Sequence, residues 1–288
     1  MPTPDDGPSL VLHARPDDLE AAADLEFVAA HLTEFRRARG DVSATAALVV
    51  GDPERCAELM AAGLPTVYLH PAGAAPGDPD AADVSATIVS WQVPGWLTQS
   101  CSRERRFARS EIRVPNVAPP RRVRSAGGSG PAVQLTGGCP DPERTVAALR
   151  TALLETGPAE GPIPVLTDLA AADWAGLASR LGEFVFTRVD VADWPRALRR
   201  ADLLVAGPTL LATTFAQSTS LPLRLLPAAG IRQSRVREAL GVLAGGTDAR
   251  TDLIVTPDVW PVDTGGAGAL GGATQLARQI RQLCLAPV

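Results

Sequence analysis

The residues of this chain that could move a proton are few. His13, His31 and His70 are scattered, with no H-x-x-x-H spacing of the kind that binds a metal. His13, Asp17 and Asp52 fall at predicted strand-to-helix turns. A histidine placed there can serve as a general base toward a bound acceptor. Equally, His13 fits an ordinary strand-end histidine, and Asp17 and Asp52 fit helix caps. Trp91 and Trp96 flank Pro94-Gly95 and suit either stacking on a planar acceptor or burial.

Residues suited to anions form a second group. Three glycine loops qualify: Gly51-Asp52, Gly137-Gly138-Cys139 and Gly207-Pro208-Thr209. In each, an apolar run gives way to a helix whose free N–H groups can face a phosphate. None reads G-x-G-x-x-G or G-x-x-x-x-G-K-[ST], so neither a dinucleotide fingerprint nor a Walker loop is present. Thr209, Thr213 and Gln217 recur at every fourth position and share one helix face. That stripe fits a diphosphate and ribose, or simply a solvated helix side. Arg103, Arg105, Arg106 and Arg109, then Arg121, Arg122 and Arg124, concentrate positive charge that suits phosphate or carboxylate, or forms a solvated face.

Composition limits the alternatives. All 27 cationic residues are arginines, which with the Ala, Gly and Pro excess bespeaks a high-GC genome, and the net charge of −5 argues against a general nucleic-acid binder. Cys56, Cys101, Cys139 and Cys284 form no C-x-x-C pair, so neither a zinc ribbon nor a disulfide framework is indicated. No apolar run reaches the roughly 20 residues of a membrane span, and the start MPTPDDGPSL lacks the features of a signal peptide. A cytoplasmic protein without an integral membrane segment is expected.

The elements that must position these residues follow an α/β grammar. SLVLHA reads as a strand, followed by a helix predicted from Asp17 to Arg39, with Asp17 and Glu20 as a capping box. AALVV runs to Gly51, and Asp52-Pro53 opens a helix that Gly63 closes before the strand TVYLH. ATIVSW is a further strand. Residues 114–131 are rich in Pro, Gly and Ser and mark a boundary. AVQLTGG then leads into a helix opened by Asp141-Pro142 and closed at Gly157, and IPVLTDL, EFVFTRV and ADLLVAG are three more strands. Residues 47–71 and 202–227 form a weak internal repeat of strand, glycine, helix and Leu-Pro strand. DLIVT and a helix from Gln275 to Leu285 complete the chain. The prediction is two Rossmann-like domains with parallel sheets: a shortened amino-terminal domain at 1–118, a linker at 119–131 and a carboxyl-terminal domain at 132–288.

The order ADLLVAG, helix, SLPLRLLP and then Gln233 resembles the carboxyl-terminal half of the nucleotide-sugar-binding domain of GT-B glycosyltransferases, especially those of the MurG type and the pseudaminate-pathway sugar-nucleotide hydrolases. VQLTGGCPDPER resembles the loop that opens that domain. VVGDPERCAELMAAGLPTVYLHP with VSWQVPGWL resembles the amino-terminal domain of proteins related to cytosylglucuronic acid synthase, which joins a sugar from a UDP-uronic acid to cytosine in nucleoside-antibiotic biosynthesis. The resemblance implies a UDP-sugar as substrate in an interdomain cleft, no cofactor and no metal. It also implies donor contacts from Gly137, Gly138, Gly207, Thr209, Thr213, Gln217 and Gln233, an acceptor side at Asp52, Trp91 and Trp96, and His13 as the base.

The chain departs from the pattern at Pro208-Thr209, which replaces a run of glycines, at the glycine-free turn His13-Ala14-Arg15-Pro16-Asp17, and at one position above all. The acidic residue that such enzymes use for the ribose hydroxyls falls, counting seven back from Pro222, on Phe215. The expectation is therefore a glycosyltransferase-like protein of secondary metabolism, acting on a small acceptor such as a nucleobase. The alternative is a catalytically degenerate relative that works as a binding or partner protein or as a homodimer. An epimerase or hydrolase of the same architecture also stays open.

Overall fold

The computed structural model describes residues 7–38, 40, 43–75, 78, 83–97, 111–119, 128, 130–139, 141–157, 159, 161–244, 253–260 and 270–285. The chain divides into two compact units: residues 1–118 with 264–288, and residues 119–263. The last helix was expected in the second domain. It packs instead in the first unit, because its apolar stripe of Leu276, Ala277 and Ile280 is buried in that unit's core.

In the first unit, β1 (Ser9–Ala14), β2 (Arg36–Arg37), β3 (Ala46–Val50), β4 (Thr66–Leu69), β5 (Ile88–Gln92) and β6 (Glu111–Val114) form one sheet in the order β2-β1-β3-β4-β5-β6. Every pairing in it is parallel. A sheet covered on both faces calls for continuous apolar strands, and β3 is buried at all five positions. Helix α2 (Pro53–Ala61) covers one face, sealing Val11, Val49, Tyr68, Val89 and Trp91 with Cys56 and Leu59. Helix α1 (Leu19–Ala29) covers the other.

Helix α1 is shorter than the predicted 17–39. Asp18, not Asp17, caps it by accepting the Ala21 N–H, while Asp17 sits at φ 60. It ends near Ala30 because residues 36–38 pair with the open edge of β1, through Arg36 N to Pro8 O and Ala38 N to Leu10 O. Ladder bonds on a bare sheet edge replace the helical bonds these residues would otherwise make.

In the second unit, β7 (Pro131–Leu135), β8 (Ile163–Thr167), β9 (Phe186–Arg188), β10 (Leu203–Ala206), β11 (Leu223–Leu225) and β12 (Ile254–Val255) are ordered β12-β11-β10-β7-β8-β9. All pair in parallel except β12, which runs antiparallel to β11, a departure from the all-parallel expectation. Helices α3 (Pro142–Thr156) and α4 (Ala171–Ser179) pack Val146, Leu149, Leu153, Trp174 and Leu177 onto Val133, Leu135 and Val165. Three further helices follow: α5 (Trp194–Leu198), α6 (Leu210–Thr219) and α7 (Ile231–Leu243). The helix α8 (Gly272–Leu285) returns to the first unit. The internal repeat corresponds to β3-α2-β4 in the first sheet and β10-α6-β11 in the second.

Candidate functional site

Each sheet has a place where consecutive crossovers leave in opposite directions, and ligands of open α/β sheets lie beyond the carboxyl ends of the strands there. In the first unit that place is between β1 and β3. His13 stands opposite Val49 in the β1–β3 register. Just past β3, Gly51 at φ 72 turns the chain into α2. The turn gives the Asp52 carboxylate two partners: Oδ1 accepts the Arg55 N–H at 3.0 Å, capping α2, and Oδ2 meets His13 Nε2 at 2.8 Å.

Partial burial works to raise the Asp52 pKa. The bonds from the Arg55 amide and from His13, with the positive charges of His13 and Arg15, outweigh it and hold the carboxyl below its ordinary value. An ionised carboxylate only accepts hydrogen bonds, so His13 Nε2 carries the hydrogen of this bond, which leaves Nδ1 as the ring nitrogen whose lone pair is open in the uncharged form. The His13 side chain is 28% exposed, so the dyad is anchored but reachable. Asp52 thus both caps α2 and bonds His13, a pairing the sequence did not suggest.

Trp91 and Trp96 are both buried. One face of Trp91 is covered by His70, stacked at a centroid distance of 3.4 Å with the planes 11° apart. Trp91 belongs to the core cluster of the first unit, and the burial of both indoles favours the burial reading over the acceptor stacking expected of them. Cys56 in the same core has its thiol pushed up to about 11, first by burial and then by the charge of Asp52.

In the second unit the corresponding place is between β7 and β10. Gly137 and Gly138, just past β7, have φ of 76 and 89, a left-handed pair that a residue with a Cβ adopts only under strain. The Gly137 N–H donates to Asp168 Oδ2 at 2.7 Å. On its other side lies Gln233, whose Nε2 donates to Thr136 O at 3.1 Å and whose Oε1 accepts the Ala229 N–H at 2.7 Å. A Cβ on Gly137 would stand 2.9 Å from Gln233 Nε2, and one on Gly207 would stand 3.5 Å from it. Gln233 therefore ties together the loops after β7, β10 and β11.

Gly138, Cys139, Arg144, Gly207, Ala228 and Gln233 are among the residues lining a pocket of about 50 Å³ at this point. Arg144 is in the first turn of α3, exposed, and in no ion pair among the described residues. It was missed in the sequence, although its place three residues after the capping Asp141 was a usable signal. A larger pocket of about 260 Å³ lies at the β2 edge, lined by Leu10, Leu12, Phe35 and Arg36 among others, and holds none of the expected site residues.

The expected polar stripe on α6 is committed elsewhere. All ten residues of the helix are buried. Thr209 caps it by accepting the Ala212 N–H at 3.2 Å, and the Thr213 hydroxyl donates to Leu210 O at 2.8 Å. Gln217 is buried, and its Oε1 has no hydrogen-bond partner among the described residues. Phe215 is fully buried and meets Trp194 edge-on at 6.5 Å, as an apolar core residue would. Thr213 is thus spent within the helix, whereas Thr209, which only accepts at its cap, stays beside the glycine turn, its Cγ2 3.9 Å from where a Cβ on Gly137 would stand. Among the described residues no group of three or more His, Cys, Asp or Glu could hold a metal ion, and no helix is long and apolar enough to cross a membrane. The arginines at 103–109 and 121–124 and Cys101 lie outside the described residues.

The family model described as CGA synthase-related protein matches residues 10–288. The chain belongs to the CGA synthase-related family. This CGA synthase-related chain is similar to the solved structure of the glycotransferase of kitacinnamycin, at 14% identity over 98% of this chain and 100% of that one, with a TM-score of 0.53. It also matches MurG of Acinetobacter baumannii at 13% identity, over 96% and 92% of the two chains, with a TM-score of 0.45. The calicheamicin glycosyltransferase matches at 12%, over 98% and 99%, with a TM-score of 0.47. No curated protein matches the CGA synthase-related chain. Its fold is that of GT-B glycosyltransferases: two parallel-dominated α/β units.

Proposed function

We propose that this chain is a glycosyltransferase that uses a UDP-sugar donor and a small acceptor. The observation that carries the proposal is the His13–Asp52 pair, 2.8 Å apart at the topological switch of the first sheet. Asp52 fixes the His13 ring, and Nδ1 takes the acceptor proton. The acceptor oxygen or nitrogen bonds to the anomeric carbon as the bond to the diphosphate breaks, and the nucleoside diphosphate leaves with the electron pair. On the second unit, the Gly138 N–H of the glycine turn, the Gly137 N–H being held by Asp168, and the Arg144 guanidinium supply a donor and positive charge for the diphosphate. A uronic acid as the sugar and a nucleobase as the acceptor follow the family's name-giving reaction.

Calorimetric titration with UDP and a panel of UDP-sugars is the first test, and absence of binding at millimolar nucleotide would end this reading. Given binding, His13→Ala should lower transfer about 10²- to 10⁴-fold while UDP affinity stays within about twofold. Asp52→Asn keeps a helix cap but loses the charge that orients His13, so a loss of similar size is expected with little change in thermal stability.

A second reading, a non-catalytic binding or partner protein, is favoured by the buried, apolar Phe215 at the position where a ribose-binding acid was expected. UDP binding without release of UDP from any donor, in wild type and His13→Ala alike, would select it.

A further inference from the structure

Strand β1 carries its hydrogen-bond ladder one residue past its end, where the Arg15 N–H donates to Val50 O at 2.9 Å. Side chains of a strand alternate between faces, so Val11, His13 and Arg15 share one face of β1. The contacts agree: Val11 packs in the core beneath α2, His13 meets the Asp52 that caps α2, and a Cβ on Gly51 would stand 3.6 Å from the Arg15 Cβ. Arg15 therefore projects beside the His13–Asp52 pair, over the same glycine turn. Arg15 is exposed, and among the described residues its side chain makes no hydrogen bond and no ion pair. This holds although Asp17, Asp18 and Asp52 stand in the adjoining turns. Asp52 is near enough for the Arg15 charge to be felt there, yet its bonds go to the Arg55 N–H and to His13. The Asp18 carboxylate is spent on the Ala21 N–H, and Asp17, at φ 60, forms no ion pair among the described residues.

We propose that Arg15 selects the acceptor, and that the acceptor is a small carboxylic acid whose carboxylate lies close to the atom that His13 deprotonates. The inference rests on the transferase reading above. In that reading the nucleophilic atom of the acceptor sits at His13 Nδ1, so the rest of a small acceptor lies along the face that His13 and Arg15 share. A guanidinium presents parallel N–H donors that match the two oxygens of a carboxylate. A phosphate would bring more negative charge toward Asp17 and Asp52, whereas a carboxylate brings a single charge that Arg15 balances. Held there, the acid has its nucleophile turned toward the base. His13 serves any acceptor that reaches it, and Arg15 is the group that tells an acid from its neutral counterpart.

The contrary view makes Arg15 an ordinary solvated arginine. Benzoate and benzamide, alike in shape and different in charge, separate the two views. The readout is the imidazole signals of His13 in nitrogen-15 NMR spectra, assigned by their loss in His13→Ala. Wild type, Arg15→Gln and Arg15→Lys are titrated with each probe, with circular-dichroism melts as a check on folding. In wild type, benzoate should move the His13 signals saturably and bind about fivefold more tightly than benzamide, as one charge-assisted pair at an accessible site allows. Arg15→Gln should erase the difference, and Arg15→Lys should keep only part of it, because an ammonium lacks the fork. Equal affinities in wild type would overturn the proposal, as would His13 signals that neither probe moves or a benzoate preference that survives Arg15→Gln. UDP titrated into the same samples keeps the two readings apart. UDP binding without a benzoate preference removes this inference alone, whereas a benzoate preference without UDP binding ends the transferase reading and, with it, the role of the acid as acceptor.

Discussion

At the scale of single residues, the least comfortable group in the protein is Asp24. It lies on α1 among the buried residues of that helix, and burial, then the negative charge of Glu20, pushes its carboxyl well above the ordinary value. A hydrogen bond from Gln92 Nε2 works in the opposite direction, and the charge of Asp18 adds to the rise. Because the folded pKa exceeds the unfolded one, the stabilising contribution is fully present below about pH 4 and is lost as pH rises through the folded value. At pH 7 the protein therefore bears the cost of a buried carboxyl. Asp24→Asn keeps an acceptor for Gln92 and removes the titration, so it should raise stability at pH 7 by about 1–3 kcal/mol. Urea unfolding at pH 4 and pH 7 checks this, since the gain should shrink toward the lower pH. A variant no more stable than wild type at pH 7 would mean that the charge is better compensated than its surroundings imply.

The scale of elements shows why some of the fold was legible and some was not. Asp52-Pro53 and Asp141-Pro142 announce α2 and α3 because a capping side chain and a pre-set φ act within four residues. The strands at the centre of each sheet are legible because a sheet buried on both faces needs unbroken apolar runs. The end of α1 was not legible, since the bonds that replace its last turns come from β1, more than twenty residues earlier. The burial of α6 was hidden for a related reason: threonines read the same on a wet face and on a packed helix that bonds its own carbonyls. His13 and Asp52 could be named separately, but their contact spans 39 positions and exists only once β1 and β3 pair.

The glycine turn gives a prediction at this scale. Gly137→Ala and Gly138→Ala both force an L-residue into the left-handed region, at about 1–2 kcal/mol each. Only at Gly137 does the new methyl also meet Gln233, whereas nothing stands within 4 Å of a Cβ on Gly138. Gly137→Ala should therefore be the more destabilising of the two by thermal unfolding, and the one that weakens UDP binding more. The reverse order would show that Gln233 does not brace the turn.

For the whole molecule, the decisive fact is that the chain makes the first unit from both of its ends. Among the described residues, 1–118 supply six strands and the helices α1 and α2, and α8 packs beside α1 against β3 and β6. Leu276, Ala277 and Ile280 are fully buried, Ser90 donates to Gln279 Oε1 at 3.3 Å, and Arg281 bonds both Glu34 and the His31 carbonyl. The start of α8 lies directly on the chain after β6. The Gly272 N–H donates to Asn116 O, and a Cβ at Gly272 would fall 2.1 Å from Pro115 O and 2.8 Å from Asn116 O. Backbone atoms cannot rotate away as a flexible side chain can, so Gly272→Ala has to lift the helix from its seat. The cost should be about 3 kcal/mol, at the upper end for one added methyl in a packed interior. Its location matters more than its size. Amide hydrogen exchange should rise in α1, β5 and β6 and stay unchanged in β7, β8 and β10, because α8 belongs to the first unit alone. Faster exchange in the second sheet instead would contradict the assignment of the last helix to the first unit.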